Sequence, residues 1–241
     1  MRAPRPHART RRAAVLLVFA AVGLLSLAGC DPRTLLYFLQ PNEPTIPPPC
    51  KKDALKGKKV VVLTHAAAGT QNDFLSIDRE LTREFNKNLK EKVKKIEIVP
   101  QDKVWTWVEG HPSWTDPAEA ATAFEADVVI FLELETFQVT DPSSPGLLEG
   151  KARTHIQAYE MDYPTNSKGK PLIDQPKEST KLYDDYQDST FPVRGPIPME
   201  SGVGRSAFKN KFLQVAAAEI SWHFVEHAPG DDIQDVKFST K

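Results

Sequence analysis

The chain has 241 residues, with 31 Lys and Arg against 32 Asp and Glu, 40% hydrophobic residues, 20 Pro and 2 Cys. That composition excludes a wholly disordered polymer, a disulfide scaffold and a polytopic membrane protein. The balanced charge joins two unlike parts, because residues 1–29 hold five arginines (Arg2, Arg5, Arg9, Arg11 and Arg12) and no acid. Taking those five from the 31 leaves 26 basic against 32 acidic residues, a net of about −6. Nucleic-acid affinity depends on neutralising phosphates, so a mildly acidic chain is not expected to have a nucleic-acid partner.

Met1 to Arg12 is basic, Ala13 to Leu25 is an uncharged apolar run, and the run closes in Leu27-Ala28-Gly29-Cys30. Residues 1–29 therefore read as a secretory signal peptide rather than as part of the fold. The last four residues resemble the lipobox of bacterial lipoproteins. That resemblance implies a diacylglycerol on the Cys30 thiol, cleavage before Cys30 and acylation of the new amine. One acyl chain holds a protein weakly, whereas two or more anchor it stably, each buried CH₂ being worth about 0.8 kcal/mol. The alternative is an uncleaved anchor, for which residues 13–29 are at the short end of a membrane span. Asp31 is similar to an inner-membrane retention signal, so the expected place is the bacterial cell envelope, facing the periplasm, with the inner membrane favoured. Once Cys30 carries lipid, only Cys50 is left, either as a reduced thiol or as a link to another chain.

Residues 30–57 read as a tether, held extended by Pro32, Pro41, Pro44 and Pro47-Pro48-Pro49 and interrupted by the apolar cluster Leu35 to Leu39. From 58 to 229 the pattern is that of a globular domain. Val60 to Leu63 predicts a strand buried on both faces. Ile77, Leu81, Phe85, Leu89 and Val93 predict a helix with one apolar stripe. Ile96 to Val99 is a second strand, Gln101 opens a short helix, and Asp116-Pro117-Ala118-Glu119 starts another. Val128 to Thr140 is the longest strand. Its apolar phase slips between Leu134 and Phe137, which predicts a β-bulge near Glu135-Thr136. Ala152, Thr154, Ile156 and Ala158 mark an antiparallel return strand, and a further strand is expected around residues 181–186. A final helix with Phe208, Phe212, Val215, Ala216, Ile220 and Phe224 on one stripe is expected to reach His227, before Pro229-Gly230 and an acidic tail over 230–241. The fold class is α/β: a three-layer mixed sheet of four to five strands, parallel in its first half and closed by an antiparallel hairpin, flanked by three to four helices.

This element order, the Ala126-Asp127 start of the long strand and the closing amphipathic helix resemble the soluble domain of the curli-secretion lipoproteins. They are also similar to the lipoprotein that activates a penicillin-binding protein and to the N-terminal domain of the Tol translocation protein. The resemblance covers residues 58–228 and implies a module that binds another envelope protein or associates with itself. It carries over no ligand residues.

Two constellations could bear chemistry. His223-Phe224-Val225-Glu226-His227 reads H-x-x-E-H, and on a helix the two histidines would share the face a zinc ion needs, with Glu226 to activate a bound water. The motif lies too close to the C-terminus for a downstream third ligand, so His223 and His227 are weak metal candidates and no cofactor is expected. Trp105, Trp107 and Trp114 fall within ten residues and are the candidate interaction site, since half-exposed tryptophans anchor partners. The expected function is a lipid-anchored, non-enzymatic module for another envelope component. The alternatives are a small zinc hydrolase and an oligomeric secretion-channel subunit.

Overall fold

Four consecutive apolar residues cannot sit on a half-solvated sheet, and Val60, Val61, Val62 and Leu63 are buried on both faces at the centre of this one. In the computed structural model they form β1 (Lys59–Ala66), flanked in parallel by β2 (Glu97–Ile98) and β3 (Val128–Asp141). The described residues are 44–231, except 142, 171, 173, 174, 176, 200, 201 and 203. Residues 1–29, read above as a signal peptide, Cys30, Asp31, the Leu35 to Leu39 cluster and residues 232–241 lie outside them. Thr45 begins the folded unit.

β3 turns back antiparallel into β4 (Ser144–Asp162), which pairs in turn with β5 (Glu178–Phe191). The sheet order is β2-β1-β3-β4-β5, with the short β6 (Ile197–Pro198) pairing beside β5 on β4. The register slips between Leu134 and Thr136, at the predicted bulge. There the Glu135 carbonyl accepts from the Thr70 hydroxyl at 3.3 Å and the Leu134 carbonyl from Ala67 N–H at 3.0 Å, so α1 (Ala68–Asp73) is fastened to the slip. The bulge turns Phe137 and Val139 to the same face as Leu134, where they are buried.

On that face pack α2 (Ile77–Lys92) and α5 (Arg205–Trp222), whose buried stripes are Ile77, Leu81, Phe85, Leu89 and Phe208, Phe212, Val215, Ala216, Ile220. The opposite face of the parallel half is covered by α3 (Gln101–Gly110) and α4 (Pro117–Ala123) over Val61, Leu63 and Val129. Asp116 caps α4, its carboxylate accepting from Ala118 N–H at 2.8 Å. The architecture is thus the expected three-layer α/β mixed sheet, with six strands and five helices among the described residues.

On the outer side of the antiparallel half, α4 reaches only the end of β4 at Tyr159 and Met161, and the side chains beyond it form a polar ladder. His155 lies between Asp184 (2.6 Å) and Glu133 (3.8 Å) and stacks on Tyr186, with ring centroids 4.4 Å apart. Arg153 covers Tyr186 at 4.6 Å and pairs with Glu135 at 3.1 Å. Lys181 and His155 hold the Asp184 carboxyl down at about 2.

Two expectations are corrected. The extended tether does not run to residue 57: Cys50 and Leu55 are buried, Ile46 forms a β-bridge with His227, and Cys50 N–H donates to the His223 carbonyl at 3.0 Å. The prolines do keep the backbone from forming regular structure, but the apolar side chains between and after them are taken into the core. The last helix stops at Trp222, short of His227.

Candidate functional site

The early end of α5 removes the premise of the H-x-x-E-H reading, since His223 and His227 no longer share a helical face. His223 is buried, its Nδ1 lying 2.5 Å from the Tyr183 hydroxyl and its Nε2 2.8 Å from Gln187 Oε1. With Nε2–H directed at the Gln187 carbonyl oxygen, Nδ1 is left to accept from Tyr183. His227 stacks on Trp222 at 4.4 Å, and Glu226 pairs with Lys52 at 3.0 Å. Among the described residues no group of three or more His, Cys, Asp or Glu side chains is placed to hold a metal ion.

Burial holds the His223 imidazole below its ordinary pKa, against the opposing pull of Asp185. An imidazole whose folded pKa is depressed binds fewer protons than the unfolded chain, so stability is full above about pH 6.5 and falls as the pH drops through that value. Urea midpoints measured between about pH 7.5 and about pH 5 should show this decline, and the His223→Gln variant should flatten it. Equal slopes in the two proteins would refute the assignment. The thiol of Cys50 is likewise raised by burial, and Cys50 is a free cysteine at 3% exposure.

The three tryptophans do not form one patch. Trp107 stacks on His111 (4.7 Å) and meets Phe124 edge-on (6.3 Å), while Trp114 meets Phe131 edge-on (5.5 Å). Both lie half-buried against the core under α3 and α4. Trp105 leaves this group and turns toward α2, where the Arg79 guanidinium sits 4.9 Å above its ring.

Trp105 forms part of one wall of an open groove of about 860 Å³ between α2 and α3. The other wall is the polar side of α2, where Arg79, Arg83, Lys87 and Lys90 recur at three- and four-residue spacing and so fall on one stripe. Arg79 pairs with Glu109 at 3.1 Å and Glu80 with Lys209 at 2.6 Å, which leaves Arg83, Lys87 and Lys90 without an ion pair among the described residues. Burial raises the Glu80 carboxyl, and hydrogen bonds from Lys209 and Ser76 more than offset this, so the net shift is downward. Two amides line the groove: Asn86, 6% exposed, and Gln101. Asn86 Oδ1 and Gln101 Oε1 are buried and accept no hydrogen bond within the described chain. An unsatisfied buried acceptor costs about 1–3 kcal/mol. Sequence reasoning identified Trp105 and predicted the helix α2 but did not single out its polar side as a site, although the charged residues at 79, 83 and 87 were the available signal.

No helix of the described residues is long and apolar enough to cross a membrane. No protein-family model matches the chain, and no curated protein matches it. Among solved structures it is similar to a hypothetical protein of Chlamydia trachomatis, at 13% identity over 55% of this chain and 70% of that one, with a TM-score of 0.33. It is also similar to a lipoprotein of Neisseria meningitidis, at 9% identity over 57% and 85% of the two chains and a TM-score of 0.37. A third similarity is to the PelC dodecamer of Paraburkholderia phytofirmans, at 12% identity over 75% and 96%, with a TM-score of 0.34.

Proposed function

We propose that the protein is a lipid-anchored, non-catalytic module of the bacterial cell envelope that holds a segment of another envelope protein in the groove between α2 and α3. The leader ending in Leu27-Ala28-Gly29-Cys30 supports the location. The binding role rests on the open groove itself, which has the half-buried Trp105 on one wall and Arg83, Lys87 and Lys90, cations without an ion pair among the described residues, on the other. A peptide segment matches every element of this site. An apolar side chain covers the Trp105 ring, and carboxylates meet Arg83, Lys87 and Lys90. A small inorganic anion would engage only the last of these.

The test is a benzophenone amino acid at position 87, on the groove rim, irradiated in intact cells. The expected result is one discrete adduct with a second envelope protein, reduced at least tenfold by Trp105→Ala, as for a central aromatic anchor. The same probe at position 168, in an exposed turn, should give none of it. An adduct indifferent to Trp105, equal labelling from position 168, or none from position 87 would overturn the reading. An adduct with a second copy of this chain would replace the partner by self-association.

A further inference from the structure

Ten lysines fall in two stretches, 51–59 and 87–95, in which Asp53 and Glu91 are the only acids. Nothing in the linear order joins these stretches, but the fold does. Gly57 N–H donates to the Lys94 carbonyl at 3.3 Å and Glu97 N–H to the Lys58 carbonyl at 3.0 Å. Pro48, Lys52, Lys56, Lys92 and Lys94 line one shallow depression beside the C-terminal end of α2. Three of the ten are engaged, Lys52 with Glu226 (3.0 Å), Lys56 with Asp53 (3.7 Å) and Lys58 with Glu160 (3.2 Å). Lys51, Lys92 and Lys94 are exposed. This concentration stands against a mildly acidic chain, whose other edge strand, β5, carries Asp184, Asp185 and Asp188.

We infer that this lysine pole rests on the anionic phospholipid headgroups of the membrane that holds the protein. The inference builds on the reading of Cys30 as the anchor and adds an orientation to it. The folded unit begins at Thr45, and Pro48, three residues on, lies in the wall of the lysine depression, so the pole adjoins the start of the folded unit. The fourteen residues from 31 to 44 reach at most about 50 Å, which keeps the domain near the bilayer and able to fall onto it. Within a Debye length of about 8 Å, each lysine strengthens attachment to an anionic surface about fivefold. The aspartates of β5 are repelled by the same surface, so one face of the domain is selected.

The experiment uses the chain from residue 30 with Cys30→Ser, which keeps the whole described fold and cannot be lipidated. Its failure is therefore separate from failure of the anchor. Flotation is measured with phosphatidylcholine vesicles, with and without about 30% phosphatidylglycerol, at about 50 mM and about 300 mM salt. The expected result is binding that requires phosphatidylglycerol and falls with salt. It should weaken at least tenfold in the variant Lys51→Glu, Lys92→Glu, Lys94→Glu. A control with the same charge change at exposed sites elsewhere, Lys103→Glu, Lys168→Glu, Lys170→Glu, should bind within about twofold of the parent, and circular dichroism confirms that both variants are folded. Absence of binding, equal binding to neutral vesicles, or equal loss in the two variants would overturn the proposal.

Discussion

A chain carrying Cys30→Ser is expected to accumulate as an unprocessed precursor, while the parent matures to a smaller species that partitions wholly into detergent. Serine offers a hydroxyl where the thiol would form the thioether to diacylglycerol, and in the proposed reading cleavage before residue 30 follows that modification. The effect should be close to all-or-none. Each buried CH₂ of an acyl chain contributes about 0.8 kcal/mol, so the proposed acyl chains would dominate every other membrane contact. Mass spectrometry of the mature N-terminus reads the result directly. A Cys30→Ser chain that still loses residues 1–29 and still resists alkaline extraction would refute the lipid anchor and favour an uncleaved helix.

Placing a methyl group on Gly150 should unfold or strongly destabilise the domain. Gly150 lies on β4 where α5 crosses it, and an added Cβ would overlap the Cγ edge of the Phe212 ring. That ring cannot yield, because Phe212 is fully buried and stacked on Phe137 at 4.9 Å, with Phe191 on another side at 6.4 Å. Interiors are packed like crystals, and overpacking costs typically about 1–3 kcal/mol and more where neighbours are fixed. We expect Gly150→Ala to lose at least about 3 kcal/mol in urea denaturation, a large share of the stability of an ordinary domain. Phe212→Leu alone also destabilises, but the double variant should be more stable than the sum of the two losses predicts. Additive losses would show that the two positions do not meet.

Where side chains report their surroundings directly, the fold was legible. Val60 to Leu63 could only be a doubly covered strand, and the change of apolar phase from Leu134 to Phe137 located a bulge that the register confirms. β5 was underestimated, as residues 181–186 instead of 178–191, because an edge strand paired on one side with β4 presents mostly exposed polar residues. The end of α5 was misjudged for a different reason. Helical spacing of His223, Phe224 and His227 is compatible with about one and a half more turns of helix, but Tyr183 and Gln187, some forty residues earlier, hold His223 against β5. Such long-range claims leave no local trace. The groove shows the same limit, since Arg79 and Arg83 read as an ordinary solvated helix face until α3 brings Trp105 and Gln101 opposite them.

The stitching of residues 45–52 to 223–227 also defines how the domain bears load. Ile46 and His227 exchange backbone hydrogen bonds at 2.8 and 3.3 Å, Cys50 holds the His223 carbonyl, and Lys52 and Thr45 both reach Glu226. A pull delivered through the chain at Thr45 meets these links before it meets β1. They are arranged in series along the segment, so they peel one after another rather than share the force. Under a pull at Thr45 the segment would therefore release length link by link before the load reached the sheet.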